Sequence, residues 1–265
     1  MIPVIHLGDG LEGLRGIPGK AGLILSDLPS GETHAELDVV PDLPALWAAI
    51  WTALRPNGIA VLMASSIRFA MALIASESKA FRYDLVWSKS VATGFLNAAH
   101  RPLRAHEFVL VFWRGRNATY HAQMEETLDP ITASAQRSGP GENYRGRVMR
   151  PIQSNGRDGD RGSVNYDTKG KRNGRGCART GATDRFPRSV LAFGSVPSRA
   201  PERTHHQQKP EDLLRNLIRQ YSDLDDLVVD PFAGSGSAGR AALAEGRRFV
   251  GWDLSPRFAN DWCAS

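Results

Sequence analysis

Two short segments of this chain bring together residue types that can do chemistry. The first is Val228-Val229-Asp230-Pro231-Phe232-Ala233-Gly234-Ser235-Gly236-Ser237, which reads as an apolar strand, a glycine turn and the start of a helix running on from Ala238 to Ala244. Gly234 and Gly236 let the backbone pass close to a ligand where a Cβ would clash. Their N–H groups and the helix start favour polar or anionic ligand groups. A second strand, Arg248-Phe249-Val250-Gly251-Trp252, ends at Asp253, 19 residues past Gly234. At about that spacing an acidic residue meets ribose hydroxyls in nucleotide-binding α/β units. The residues point to an adenosine-containing cofactor, although the glycines alone would fit a strand-to-helix turn in any α/β protein.

The second segment is Ser26-Asp27-Leu28-Pro29-Ser30-Gly31, directly after the short apolar strand Gly22-Leu23-Ile24-Leu25-Ser26. Ligands of open α/β sheets bind beyond the carboxyl ends of the strands, so Asp27 is placed to meet a substrate near the cofactor. Asp, Pro, Ser and Gly are also ordinary turn residues.

The elements that must position these segments alternate between strand and helix. Leu43–Leu54 has apolar residues at helical spacing and stops before Pro56-Asn57-Gly58; Ile59–Ala64 is a continuous apolar strand; Ile67–Ala75 reads as a helix; Tyr83–Trp87 and Phe108–Phe112 read as strands. Ser189–Phe193 is a further strand, and a helix begins near Pro210 and runs through Leu213, Leu214, Leu217 and Ile218. Continuous apolar strands alternating with helices predict an α/β fold with a doubly wound, mainly parallel sheet. Residues 1–113 and 189–265 are expected to form that domain together, with 114–188 as a loop-rich insert, because periodicity disappears there and Gly, Arg, Asn, Ser and Thr dominate.

Charge separates the two regions. Of 265 residues, 33 are Lys or Arg and 28 are Asp or Glu, a net charge of +5. Residues 114–188 hold 15 Lys+Arg against 8 Asp+Glu, so the insert carries +7 and the remainder −2. A basic insert on a mildly acidic body suggests a polyanionic partner. No stretch approaches the roughly 20 apolar residues of a membrane span, and no signal peptide is expected at the N-terminus. The two cysteines, Cys177 and Cys263, are too few for a disulfide framework or a zinc site, which fits a reducing cytoplasm.

The string Asp-Pro-Phe-Ala-Gly-Ser-Gly-Ser followed by Gly-Trp-Asp resembles the S-adenosylmethionine site of amino-group DNA methyltransferases, and Asp27-Leu28-Pro29-Ser30 resembles their catalytic motif. Trp87-Ser88-Lys89, Gly94-Phe95-Leu96-Asn97-Ala98, Arg101-Pro102, His106-Glu107 and His205-His206-Gln207-Gln208-Lys209-Pro210 follow in the family's order. With the catalytic motif first and the cofactor motif last, this is the circularly permuted order of the β group. The resemblance covers about residues 5–113 and 189–259 and implies the Rossmann-like fold of that family. It assigns Asp230, Phe232, Ala233, Gly234, Ser235, Gly236, Ser237 and Asp253 to the cofactor, along with Asp9, Lys209 and Pro210. Asp27, Leu28, Pro29 and Ser30 are assigned to catalysis. The DNA contacts expected are Lys89 and, in the insert, Arg145, Arg147, Lys171, Arg172, Arg175 and Arg179.

The resemblance implies direct methyl transfer from S-adenosylmethionine, leaving S-adenosylhomocysteine, to an exocyclic amino group of a base flipped out of double-stranded DNA. No metal is required. Within the family it resembles, Asp at the place of Asp27 goes more often with adenine N6, so the resemblance implies adenine, with cytosine N4 as the alternative. Ser30 stands where the family has an aromatic that stacks on the base, a contact worth about 1–3 kcal/mol. Leu28 likewise replaces the family's first Pro, so a catalytically weakened DNA-binding protein stays open, and Phe95, Trp87 and Phe232 are candidate replacement rings. RNA or protein as substrate also stays open, since the basic insert permits RNA. Relatives often dimerise, and a homodimer is also left open.

Overall fold

The apolar runs lack polar alternation because they lie in the middle of a sheet covered on both faces. The computed structural model describes residues 3–32, 38–126, 184–195 and 208–261. Its strands are β1 (Val4–Leu7), β2 (Ala21–Asp27), β3 (Leu54–Ala64), β4 (Phe81–Thr93), β5 (Arg104–Phe112), β6 (Glu125–Glu126), β7 (Asp184–Arg185), β8 (Val190–Phe193), β9 (Leu227–Asp230) and β10 (Arg248–Asp253). Eight of them form one sheet in the order β1-β10-β9-β2-β3-β5-β4-β8, and β6 pairs with β7. Within the eight-stranded sheet only β5 runs against its neighbours β3 and β4. The turn from β4 to β5 is a hairpin, and two hairpin-linked strands can only pair antiparallel. The remaining pairings are parallel, as the sequence suggested.

Alternation along each strand divides the core in two. Leu23, Leu25, Val61, Met63, Val109 and Val111 enter one cluster, while Ile24, Leu62, Leu110 and Phe112 enter the other. The first is closed by α4 (Glu211–Tyr221) and α5 (Ser237–Ala244) through Leu213, Leu217, Ile218 and Ala241. The second is closed by α1 (Gly10–Arg15), α2 (Leu43–Ala53) and α3 (Ile67–Ser76) through Leu14, Leu46, Ile50, Phe69 and Leu73. A short α6 (Pro256–Asp261) follows β10. Each fully buried Leu or Ile contributes about 1.5–3 kcal/mol, so both layers hold the sheet that carries the site.

Local chemistry sets the helix starts. Asp9, Asp42 and Ser66 are N-caps whose side-chain oxygens accept backbone N–H groups of α1, α2 and α3. The Pro56-Asn57-Gly58 turn does not precede β3 but bulges from within it. Ala21 pairs with Leu54 and Leu23 with Ile59, so the residues between Leu54 and Ile59 loop out where proline has no N–H to give the ladder.

The chain divides into two compact units, residues 1–122 with 188–265, and residues 123–187. The first extends past residue 113 because Thr119 N donates to Asn57 O and His121 N to Gln220 O. Among the described residues, no helix is long and apolar enough to cross a membrane.

Candidate active site

The strand ends β9, β10 and β2 meet at the carboxyl edge of the sheet. After β9 the chain turns at Gly234 (φ +48°) and Gly236 (φ +70°), a left-handed backbone that glycine adopts without strain. Asp253, at the end of β10, folds back onto this turn: Gly234 N donates to its Oδ2 at 2.9 Å and Ser255 N to its Oδ1 at 2.8 Å. No side chain caps the N-terminus of α5, and Ser235 and Ser237 beside it are buried. The turn's own N–H groups are taken, contrary to the expectation for the two glycines: Ala233 N donates to Trp252 O, Gly234 N to Asp253 and Gly236 N to Ala233 O. The cradle therefore offers a ligand the uncapped start of α5, with the Asp253 carboxylate at its edge, a fit for an anionic group and a hydroxyl-bearing ring.

The segment after β1 packs against this cradle. A Cβ on Gly10 would stand 1.9 Å from Pro231 O, so only glycine admits so close an approach. Asp9, assigned to the cofactor, is occupied in the structure as the cap of α1, accepting Leu11 N at 2.7 Å and Glu12 N at 3.1 Å. Its observed work is to fix the helix that lies against Trp252 and the turn.

Asp230 ties the cradle to β2. Ser26 Oγ donates to Asp230 Oδ1 at 2.6 Å and Phe232 N to the same oxygen at 3.0 Å. Burial pushes the Asp230 carboxyl up to about 7; the hydrogen bonds from Ser26 and Phe232 pull it down, and the charges of Asp27 and Asp253 add to the rise. Asp27 follows Ser26 directly and thus sits beside the cradle.

Asp27 belongs to a chain of alternating charges. Lys209 Nζ donates to Asp27 Oδ2 at 2.5 Å and stands 3.2 Å from Glu107 Oε2, while Lys89 Nζ pairs with Glu107 Oε1. The side chains of Lys209, Glu107 and Lys89 are about 90% buried, and that of Asp27 keeps 28% exposure. Burial alone would lower the Lys209 pKa, but the carboxylates of Asp27 and Glu107 outweigh it and hold the ammonium above its usual range. For Glu107, burial raises the pKa, while Lys209 and Lys89 prevail and hold it below the usual carboxylate range.

The turn after Asp27 is equally fixed. Leu28 is buried in the second core cluster. Ser30 N and Gly31 N donate to Asp38 Oδ1 at 2.7 and 2.9 Å, and Ser65 Oγ lies 3.2 Å from Ser30 Oγ. Of the candidate replacement rings, Trp87 is only 3% exposed and donates its Nε1 hydrogen to Phe193 O, so it is core; Phe232 packs against the core, and Phe95 is exposed.

The structure thus brings together Asp27, Lys209, Asp230, Phe232–Ser237 and Asp253. It gives two lysines partners other than those the sequence suggested. Lys89, expected on DNA, is turned inward onto Glu107; Lys209, expected on the cofactor, grips Asp27. In the sequence Glu107 stands out only within His106-Glu107, among the segments in the family's order, with no catalytic or binding role assigned to it. Its place in the charge chain follows from alternation, since Glu107 is two residues from Val109 and Lys89 two from Trp87, both in the first cluster. Arg145, Arg147, Lys171, Arg172, Arg175 and Arg179 lie outside the described residues, as do His205-His206-Gln207, Cys177 and Cys263. Among the described residues no His, Cys, Asp and Glu side chains cluster as a metal site.

Comparison with known proteins places this geometry. Residues 40–262 match the model of a family described as DNA methylase. The chain is 44% identical over 75 residues to the DNA adenine methyltransferase YhdJ of Escherichia coli K12, which is 28% of this chain and 26% of the relative. It is 26% identical over 222 residues to the type II methyltransferase M.XycI of Xanthomonas campestris pv. cyanopsidis, which is 84% of this chain and 52% of the relative. The matches thus span about a quarter to a half of these relatives' lengths. Among solved structures, an M1.HpyAVI–SAM complex aligns over the whole of both chains with a TM-score of 0.58 and 18% identity. The cytosine-N4-specific PvuII DNA methyltransferase aligns over 99% of this chain and 86% of its own, with a TM-score of 0.64 and 15% identity. These two likenesses concern the fold, a sheet of the same kind. The family match covers most of the chain, including the glycine turn, Asp253, Lys209, Glu107 and Lys89, and by that match the protein belongs to the DNA methylase family.

Proposed function

We propose that this protein is an S-adenosylmethionine-dependent DNA methyltransferase that methylates the exocyclic N6 of a flipped adenine in double-stranded DNA. The observation that carries the reading is the Ser26–Asp230 bond, which sets Asp27 beside the glycine cradle. The cradle suits the cofactor: the uncapped start of α5 and the turn Asp230–Ser237 would hold the methionine portion, and Asp253 the ribose. Bound there, S-adenosylmethionine supplies a sulfonium methyl group.

The chain's own residues handle the acceptor. An exocyclic amine is a poor nucleophile because its lone pair is delocalised into the base. The Asp27 carboxylate and the Leu28 carbonyl accept its two hydrogens, fixing the group and turning the lone pair outward. The same acceptors stabilise positive charge as it develops on nitrogen, and the proton that the methylated nitrogen sheds leaves by way of Asp27 to solvent. Lys209 holds one oxygen of Asp27 in place. The basic residues of the insert, Arg145, Arg147, Lys171, Arg172, Arg175 and Arg179, are proposed to contact phosphates. A cytoplasmic setting fits the paucity of cysteine, and a homodimer enters only through the resemblance.

The test is product analysis. The protein is incubated with S-adenosylmethionine and unmethylated genomic DNA, and the digested nucleosides are measured by mass spectrometry, with Asp27→Ala as control. N6-methyladenine that disappears in the control is expected. N4-methylcytosine would overturn the base assignment, and the absence of any methylated base with cofactor binding intact would overturn the activity.

A further inference from the structure

The hairpin between β4 and β5 presents apolar side chains to water at the edge that carries the site. Phe95 is 81% exposed, Leu96 97% and Val91 62%. The tip is not loosely held. It begins at Gly94 (φ +92°) and is closed by Asn97 N to Gly94 O, Ala98 N to Phe95 O, His100 N to Asn97 O and Arg101 N to Asn97 O, all within 3.0 Å. A rigid turn that keeps a Phe and a Leu out of the core is built to place them elsewhere.

Beside the hairpin lies a cavity of about 850 Å³ between the hairpin and the start of α3, lined among others by Ser65, Ser66, Arg68, Arg101, Arg104 and His106. Arg104 is held by Ser65 O at 2.8 Å and by Glu32. Arg68 and Arg101 form no ion pair among the described residues and are exposed. The cavity adjoins the catalytic turn, because Ser65 also contacts Ser30. Strand β5 is two places from β2 in the sheet, which puts the root of the hairpin about 10 Å from the Asp27 strand. Apolar tip, basic cavity and catalytic aspartate therefore follow one another along a single edge.

We propose that the β4–β5 hairpin is a wedge that opens double-stranded DNA at the target. Phe95 and Leu96 enter the base stack beside the flipped nucleotide, and Arg68 and Arg101 take the phosphates that flank it. The proposal rests on the DNA-methyltransferase reading above. The partner is a duplex because positive side chains border an apolar tip: a phosphate backbone needs the first, and an unstacked base step accepts the second. The wedge also supplies apolar contact at a site where Ser30 offers no ring for stacking.

The test compares the parent with Phe95→Ala/Leu96→Ala on two duplexes carrying the site mapped from the methylated product. One duplex is fully paired, and the other has the target base in a mismatch. On the paired duplex the variant's turnover is expected to fall about ten- to a hundredfold, and on the mismatched duplex to stay within about threefold of the parent, since a mispaired base costs less to extrude. Because both side chains are exposed, the melting temperature and cofactor affinity should not move. Arg68→Ala/Arg101→Ala should reduce the slope of log Kd against log salt by about 2. Equal turnover of parent and variant on the paired duplex overturns the wedge, as does equal loss on both duplexes. A parent dimer that the tip variant converts to monomer would assign the hairpin to a second copy of this chain instead. If the parent methylates no DNA, the functional reading itself falls; if the parent methylates DNA and the variant matches it on the paired duplex, the failure belongs to the wedge alone.

Discussion

The sheet carries a charged cluster at each end, and the two are built differently. At the carboxyl end Lys209 lies between Asp27 and Glu107, with Lys89 beyond, and all but Asp27 are about 90% withdrawn from water. At the amino end Arg55 reaches Asp223 at 3.0 Å and Asp226 at 2.6 Å, and His121 adds a contact to Asp223, which is 48% exposed. Exposed pairs are screened and contribute about 0–1 kcal/mol each. Buried ones gain more attraction but cost desolvation, and they punish the loss of one partner. The amino-end cluster joins chain segments. The carboxyl-end cluster fixes the direction of one carboxylate, which alone keeps access to solvent.

The strongest way to break this contrast is Lys209→Met. It leaves Asp27 and Glu107 without the ammonium between them and loosens the hold on the Asp27 carboxylate. Turnover is expected to fall about a hundredfold from misplacement of the acceptor, with the cofactor Kd changed by less than about threefold, a free-energy difference under 1 kcal/mol. Stability should also drop, by about 3–5 kcal/mol, as for other broken buried pairs, and Lys209→Met/Asp27→Asn should recover part of it, because Glu107 keeps Lys89 as its partner. Steady-state kinetics with a thermal melt measure all three. A cofactor Kd that rises while turnover at saturation is unchanged would return Lys209 to the cofactor.

A second prediction concerns Asp230, which sits in the same crowded edge and whose carboxyl is pushed up to about 7. Between its ordinary value of 3.8 and about 7 the folded protein keeps a proton that the unfolded chain has lost. Stability contributed by this group therefore falls as pH rises through that window. A gap of that size corresponds to about 4 kcal/mol at most. Asp230→Asn keeps an oxygen for Ser26 and Phe232 N without the charge, so its urea midpoint should vary less between pH 5 and 8 than the parent's. Identical pH curves would show that Asp230 is not the group under strain.

How much of this edge was legible in the sequence depended on the distance over which the relevant physics acts. The cradle is local: Gly234, Gly236 and the following helix lie within ten residues, and Asp253 is fixed by one strand length. Strands β2, β3, β5 and β9 could be read because both their faces are buried. By contrast β1 has only Ile5 buried in four residues, too little pattern for a strand to be read. The charge chain was not legible as a unit. Asp27, Lys89, Glu107 and Lys209 come from four separate segments, and a lysine at position 89 looks the same on paper whether it faces DNA or a buried glutamate. Strand alternation placed Glu107 and Lys89 on one face, but only the order β2-β3-β5-β4 sets them beside Asp27.

The smallest effect is expected at the amino end and sharpens the contrast from the other side. Arg55→Ala removes the link to Asp223 and to Asp226, whose side chain is 8% exposed. Asp226 keeps the backbone N–H of Asp223 at 2.8 Å as a donor, so it is not left bare. The cost should be about 1–3 kcal/mol, because the Asp226 half of the link is buried, with roughly 2–4 °C in melting temperature for each kcal/mol in a chain of this size. The part due to the half-exposed Asp223 should shrink in 0.5 M salt, where the Debye length is only about 4 Å. Turnover and cofactor affinity should be unchanged, because every group moved lies at the far end of the strands from Asp27. If Arg55→Ala instead lowered turnover as far as Lys209→Met does, the two clusters would not differ in kind, and the positioning role assigned to the buried one would have to be given up.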